Sequence, residues 1–105
     1  IRDYIHIEDL VEGHIKTLEY LSDKKSQFLN LNLGTGIGTS VLELIKIFEK
    51  ANNLQIPYIF STPRLGESPI LIADNKKAKK ILNWSAKKTV FQMCRDGWNW
   101  YKLGL

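Results

Sequence analysis

Cys94 is the only cysteine among 105 residues, so no disulfide can form within the chain and a reducing compartment suits it. It falls in a helical pattern with Val90, Phe91 and Trp98, where a small buried thiol is the expected role rather than a nucleophile. His6 and His14 are the only histidines, and together with Cys94 they argue against a zinc site. No apolar run approaches the ~18 residues needed to cross a bilayer, and no basic stretch followed by an apolar one marks a targeting signal. Repeats, low-complexity segments and dividing linkers are also absent, so residues 1–105 read as one portion without internal domain boundaries.

What is present is the composition of an ordinary soluble protein, with 44% hydrophobic and 25% charged residues. A domain of this length buries about two-thirds of the surface its unfolded chain exposes, which allows one core and not a spacious one. The net charge of +4 is uneven, because Lys76, Lys77, Lys79, Lys80, Lys87 and Lys88 lie close together. Such a cluster can neutralise phosphates without reading sequence. Ala78, Ile81 and Leu82 supply a buried side between the lysines, however, and no aromatic residues alternate with them as a stacking platform requires. A solvated helix face is therefore the preferred reading, and a small nucleic-acid-binding module is the less favoured alternative.

The apolar spacing orders the chain as an α/β portion with about four helices and short strands. Ile5 and Ile7 alternate with His6 as in a strand, and Leu10, Val11, Ile15, Leu18 and Leu21 then follow the spacing of a helix with one buried face. A fully formed strand-to-helix unit at the first residue suggests a piece of something larger. After a polar connection at residues 22–26, residues 28–33 alternate as a strand. Ser40 and Glu43 form a capping box for a helix whose inner face is Val41, Leu44, Ile45 and Phe48 and which ends near Asn52 and Asn53. Residues 56–60 are a third strand candidate, and Pro63, Gly66 and Pro69 mark a loop before a short extended piece at residues 70–72. Asp74 caps a lysine-rich helix ending at Asn83 and Trp84. Thr89 and Gln92 form a second capping box for a last helix to about Lys102, with Val90, Trp98 and Tyr101 along one side.

Two motifs invite readings that fail. Gly34, Gly36 and Gly38 follow a strand candidate and precede a helix, yet Thr39 stands where a dinucleotide fingerprint needs its third glycine, and no acidic residue ends a following strand about 20 residues on. The loop is expected to bind no cofactor and to use its glycines for turn geometry. Tyr20 and Lys24 match the Tyr-x-x-x-Lys spacing of short-chain dehydrogenases, but the lysine falls in a polar loop after the helix ends. No catalytic residue and no metal ligand is assigned within these residues.

Arg2-Asp3-Tyr4-Ile5-His6-Ile7-Glu8-Asp9-Leu10 through His14 resembles the RDY(I/V)HVxDLAxGH signature of UDP-glucose 4-epimerases, in the extended short-chain dehydrogenase/reductase superfamily. Residues 32–43, 63–74 and 84–100 resemble the same family in the same order, so the likeness covers essentially the whole chain. Met93-Cys94-Arg95-Asp96-Gly97-Trp98-Asn99-Trp100 is closer to this epimerase than to related nucleotide-sugar dehydratases and decarboxylases. The resemblance implies the C-terminal substrate-binding part of such an enzyme, without its N-terminal Rossmann domain. That missing domain would hold NAD tightly, and a Ser/Thr plus Tyr-x-x-x-Lys set would draw the proton from the sugar 4-hydroxyl as hydride leaves C4. The keto intermediate then rotates and the hydride returns to its other face, interconverting UDP-glucose and UDP-galactose in galactose metabolism.

None of that machinery matches residues of this chain, so the fragment alone is expected to be inactive. By resemblance, Arg2 and Arg64 bind the nucleotide diphosphate, as suits a guanidinium fork, with Gly66 and Glu67 completing the substrate loop. Glu67 stands where the family usually has an aspartate that accepts from ribose hydroxyls, and Leu71 where a tyrosine often contacts the sugar. These departures leave open another NAD-dependent nucleotide-sugar epimerase or dehydratase. The resemblance further implies a cytoplasmic enzyme with a UDP-sugar partner and no membrane or nucleic-acid partner, and it allows the full-length protein to be a homodimer.

Overall fold

Four helices carry the chain: α1 (Ile7–Ser22), α2 (Val41–Asn52), α3 (Lys76–Leu82) and α4 (Val90–Lys102). They are seen in a computed structural model that describes residues 1–22 and 27–104. The connection at residues 23–26, and with it Lys24 of the Tyr-x-x-x-Lys spacing, lies outside the described residues.

The helix starts follow local chemistry. Ser40 takes an extended conformation and its hydroxyl accepts from the Glu43 amide at 3.1 Å, which satisfies one of the orphan donors of α2. Only that half of the expected box forms. At α4 both halves are present, with Thr89 accepting from the Gln92 amide at 3.2 Å and the Gln92 side chain accepting from the Thr89 amide at 2.8 Å. Asp74 accepts from the Lys76 amide at 3.1 Å, although the residue that flanks α3 is Asn75, whose side chain turns inward to Gly34. Asn53 and Asn83 close α2 and α3 in left-handed conformations, a geometry asparagine tolerates better than most residues.

No strand forms among the described residues. Residues 5–7, 28–33 and 56–60, all expected to be strands, form no ladder. A strand needs a neighbour to take its amides and carbonyls, and alternation supplies only a face. The extended pairing that does occur is limited to Arg2, which bridges Thr39 in antiparallel sense and Leu71 in parallel sense. The fold is thus four helices around a crossing of three extended segments rather than helices on a sheet.

The helices pack as two pairs, α1 with α3 and α2 with α4. Trp84 is the one large side chain fully buried among the described residues, and with Ala78 and Leu82 it forms a small core that Ile5, Leu31, Leu33 and Tyr20 flank. Phe48 of α2 meets Trp98 of α4 edge to face at 5.8 Å, and Trp98 stacks on Tyr101 at 5.3 Å. Cys94 is buried as its spacing predicts, and burial pushes its thiol pKa up. The radius of gyration is 16.7 Å, against about 13 Å for a compact domain of this length, so the chain is extended for its size.

The inner side of α1 differs from expectation. Ile7, Val11, Ile15 and Leu18 are exposed, and the buried residues of the helix are Asp9 and Gly13. Gly13 explains the rotation, since a Cβ there would come within 2.8 Å of Leu33 and 3.3 Å of the Trp84 indole nitrogen. Glycine here leaves room for the close approach of the helix backbone to Leu33 and Trp84. Val41 of α2 is also exposed, while Leu44, Ile45 and Phe48 are half-buried.

Candidate functional site

Arg2 lies in the middle of the crossing. Its amide donates to the Thr39 carbonyl at 3.0 Å and its carbonyl accepts from the Thr39 amide at 2.8 Å, while the neighbouring Ile1 carbonyl accepts from the Leu71 amide at 3.0 Å. The side chain is ordered by carbonyls: Nη1 donates to Ile1 and to Ser68, each at 3.0 Å. Ser68 and Pro69, which accepts from the terminal amine at 2.8 Å, are the C-terminal end of the loop that carries Arg64. Residues 1–2 therefore hold the base of that loop.

The loop itself is exposed from residue 61 to residue 70. Arg64 Nε lies 3.6 Å from Glu67 Oε1, with the arginine side chain 87% exposed, so the pair is loosely held and contributes little to stability. Gly66 turns the loop with φ of +79° and open space around it. A side chain at this φ would be strained, so the glycine serves the turn as well as any close approach.

Arg2 and Leu71 line one hollow of about 640 Å³, together with Asp3, Asn32 and Asp74. Arg64, Gly66 and Glu67 are not in its wall, and their link to Arg2 runs through Ser68. The structure thus brings two of the positions singled out by sequence, Arg2 and Leu71, to one cavity, and it suspends the other three from its edge.

The glycine-rich loop shows why it does not have to cradle a phosphate. Its amides already hold an anion of this chain. Asp3 Oδ1 accepts from the Thr35 amide at 3.0 Å and from the Thr35 hydroxyl at 2.5 Å, and Oδ2 accepts from the Gly36 amide at 2.9 Å and the Ala73 amide at 3.3 Å. Burial alone would raise the Asp3 pKa, but these donors outweigh it and hold the carboxyl below its usual range. Gly36 sits at φ of +77°, and a Cβ on Gly34 would come within 2.5 Å of Ala73 and 2.7 Å of Asp3. The donors at Thr35 and Gly36 are therefore committed inside the fold. Sequence reasoning gave Asp3 no role although it stands in the quoted signature, and the physical signal was that a turn rich in exposed amides needs an acceptor from somewhere.

A second, larger groove of about 760 Å³ runs between the start of α1 and α4. His6 is buried there, its Nδ1 accepting from the Glu8 amide at 3.0 Å, which leaves the proton on Nε2 to donate to Asp96 Oδ2 at 2.8 Å. That bond is the main cause of a lowered Asp96 pKa; slight desolvation opposes it, and the charges of Arg95 and Lys88 add to it. Lys88 pairs with Glu8 at 3.1 Å. The charges of this groove are satisfied by one another, so the hollow beside Arg2 is the better candidate for a ligand. The other lysines of the cluster, Lys76, Lys77, Lys79, Lys80 and Lys87, stand exposed, while Ala78 and Leu82 face in.

No family model matches the chain. Individual proteins do. A UDP-glucose 4-epimerase of Cyamopsis tetragonoloba is 48% identical over 100 residues, which are 95% of this chain and 29% of that protein. The crystal structure of a UDP-glucose 4-epimerase from Stenotrophomonas maltophila with bound NAD and formylated UDP-arabinopyranose superimposes with a TM-score of 0.92 at 38% identity, over 97% of this chain and 30% of that one. The enzyme from Bifidobacterium longum in complex with NAD+ and UDP gives 0.89 at 40% identity, over 96% and 30%. The chain is related to the UDP-glucose 4-epimerases. It spans less than a third of the length of the epimerases it matches, and its four helices with almost no strand are the fold of that part of those enzymes.

Proposed function

We propose that this chain is the C-terminal, UDP-sugar-binding part of an NAD-dependent UDP-glucose 4-epimerase, a cytoplasmic isomerase that interconverts UDP-glucose and UDP-galactose. The observation that carries the reading is the 48% identity to an epimerase along 95% of the chain, and the hollow beside Arg2 supports it. Arg2 offers the Nη2 and Nε parts of its fork to a diphosphate while Nη1 stays on the carbonyls of Ile1 and Ser68. Arg64, exposed at the tip of the loop tied to Arg2, supplies a second guanidinium. Gly66 lets that loop turn over the ligand, and Glu67 is the acceptor for ribose hydroxyls.

NAD belongs to residues outside this chain. The Gly34–Gly38 region does not fit a pyrophosphate, because the amides of Thr35 and Gly36 are held by Asp3. What these residues do in the reaction is bind and orient the nucleotide, so that the sugar is presented to chemistry located elsewhere.

The test uses the full-length protein. UDP binding followed calorimetrically should weaken by about 1.5 to 3 kcal/mol in Arg2→Lys and in Arg64→Lys, since lysine keeps the charge and loses the fork. Unaltered affinity in both variants would overturn the diphosphate site. Conversion of UDP-galactose, with UDP-xylose run beside it, tests the sugar, for which Leu71 and Glu67 are the positions that depart from the family pattern.

A further inference from the structure

Arg2 and Arg64 can meet one diphosphate only if the segments that carry them are held in register, and the group at the centre of that register is the Asp3 carboxylate. Its four hydrogen bonds join segments far apart in sequence: Oδ1 takes the amide and hydroxyl of Thr35, and Oδ2 takes the amides of Gly36 and Ala73. Asp3 reaches the glycine turn and Ala73, while Arg2 beside it reaches Ser68. The backbone of the same stretch is pinned to Thr39 on one side and to Leu71 on the other. Ala73 and Ser68 bracket the segment through which the Arg64 loop returns to the fold, so a carboxylate that fixes Ala73 next to Arg2 also fixes the end from which that loop hangs. The packing leaves no slack, since a Cβ on Gly34 would lie 2.7 Å from Asp3 and one on Gly38 2.6 Å from Ile1.

We infer that Asp3 is a positioning residue for the nucleotide-diphosphate site, acting through Arg2 and the base of the Arg64 loop without touching the ligand. The inference rests on the UDP-binding reading above. A carboxylate suits the task because it accepts at four places and donates at none, whereas an amide of the same shape offers one acceptor oxygen and turns an N–H₂ toward amides that are themselves donors. Asp3→Asn therefore keeps the size of the side chain and breaks one side of the knot.

The experiment compares UDP binding by the full-length wild type, D3N, R64K and the double variant, each normalised to folded protein by its thermal transition. D3N should bind UDP about tenfold more weakly, the effect of losing a hydrogen bond to a charged group. The double variant should lose less than the sum of the two single losses, because both substitutions act on one arrangement. A merely structural Asp3 lowers the melting temperature of D3N and leaves the UDP affinity of its folded fraction at the wild-type value, and that result overturns the inference. Full additivity with R64K overturns it as well. Should D3N not fold, T35V removes the hydroxyl donor to Asp3, together with the acceptor of the Ile37 amide at 3.0 Å, and leaves the Thr35 amide on Asp3; a loss of about threefold supports the inference while none refutes it. Wild type that binds no UDP, or R2K and R64K that both bind it unchanged, breaks the UDP-site reading and takes this inference with it; that reading intact with D3N unaltered breaks the inference alone.

Discussion

The indole nitrogen of Trp84 donates to the backbone carbonyl of Asp9 at 3.0 Å, across 75 residues of sequence. The carboxylate of the same aspartate accepts from the amides of Lys87 and Lys88 at 3.1 and 2.9 Å. A single buried acidic residue thus anchors the only fully buried large side chain among the described residues and the segment that leads into α4. The carboxylate is tolerated in so little solvent because two backbone donors meet it.

Trp84→Phe should destabilise the chain by about 1 to 3 kcal/mol, through the lost hydrogen bond and the reduced volume. Asp9→Ala should cost about as much by leaving two amides without an acceptor. Urea unfolding of both single variants and of the pair checks this. Costs that add fully would show that the two contacts do not share one unit.

Two glycines separate packing from helix propensity. Gly34→Ala places a methyl group 2.5 Å from the Ala73 Cβ and 2.7 Å from Asp3 Oδ2, an overpacking expected to cost about 1 to 3 kcal/mol. Gly97 lies inside α4, and a Cβ added there would meet nothing within 4 Å, so Gly97→Ala should stabilise by about 0.5 to 1 kcal/mol. Opposite signs in thermal unfolding are the expected result, and a Gly34→Ala variant as stable as wild type or more so would contradict the packing around Asp3.

The caps give a graded pair. Ser40→Ala removes one acceptor from the start of α2 and should cost about 1 kcal/mol. Thr89→Ala removes the hydroxyl half of a reciprocal box in which the Gln92 side chain also serves the Thr89 amide, so a similar loss is expected with the Gln92 bond left in place. Helical circular dichroism through the melting transition measures both. A Thr89→Ala variant as stable as wild type would show that the box carries nothing.

Those caps were legible because they are local: Ser40 with Glu43 and Thr89 with Gln92 are each three residues apart, and the helix that follows carries its own 3.6-residue period. The strands expected at residues 28–33 and 56–60 do not form, since a strand-like pattern marks a face and is silent about whether a neighbour exists to complete a ladder. The inner side of α1 was misread for a related reason. Its apolar stripe is real, but Gly13 and Asp9 have the closer partners in Trp84, Leu33 and the Lys87 and Lys88 amides, and those partners lie far along the chain. At the candidate site, Arg2 and Arg64 stood out only through the epimerase resemblance. Asp3 stands in the same signature, but its role was not legible, because the amides it serves begin 32 residues later.

Acid should unfold the chain partly through two aspartates. Burial raises the Asp3 pKa, but the Thr35, Gly36 and Ala73 donors outweigh it and hold the carboxyl below its ordinary value of 3.8, while Asp96 is lowered chiefly by the hydrogen bond from His6. A depressed folded-state pKa means that the unfolded chain binds the proton first. The stabilisation is therefore fully present above the unfolded value and is lost as pH falls through the folded one. Stability measured by urea titration should accordingly be insensitive to these groups near neutrality and should decline once pH drops below about 4 to 5. Asp3→Asn removes one of the two contributions, so this variant should be less stable at pH 7 yet lose less on further acidification. Asp96→Asn, with its side chain 43% exposed, should show the same flattening to a smaller degree because solvent screens the pair. An acid slope in Asp3→Asn equal to that of wild type would mean that the carboxylate is not ionised in the knot, and the four-donor arrangement around it would have to be abandoned.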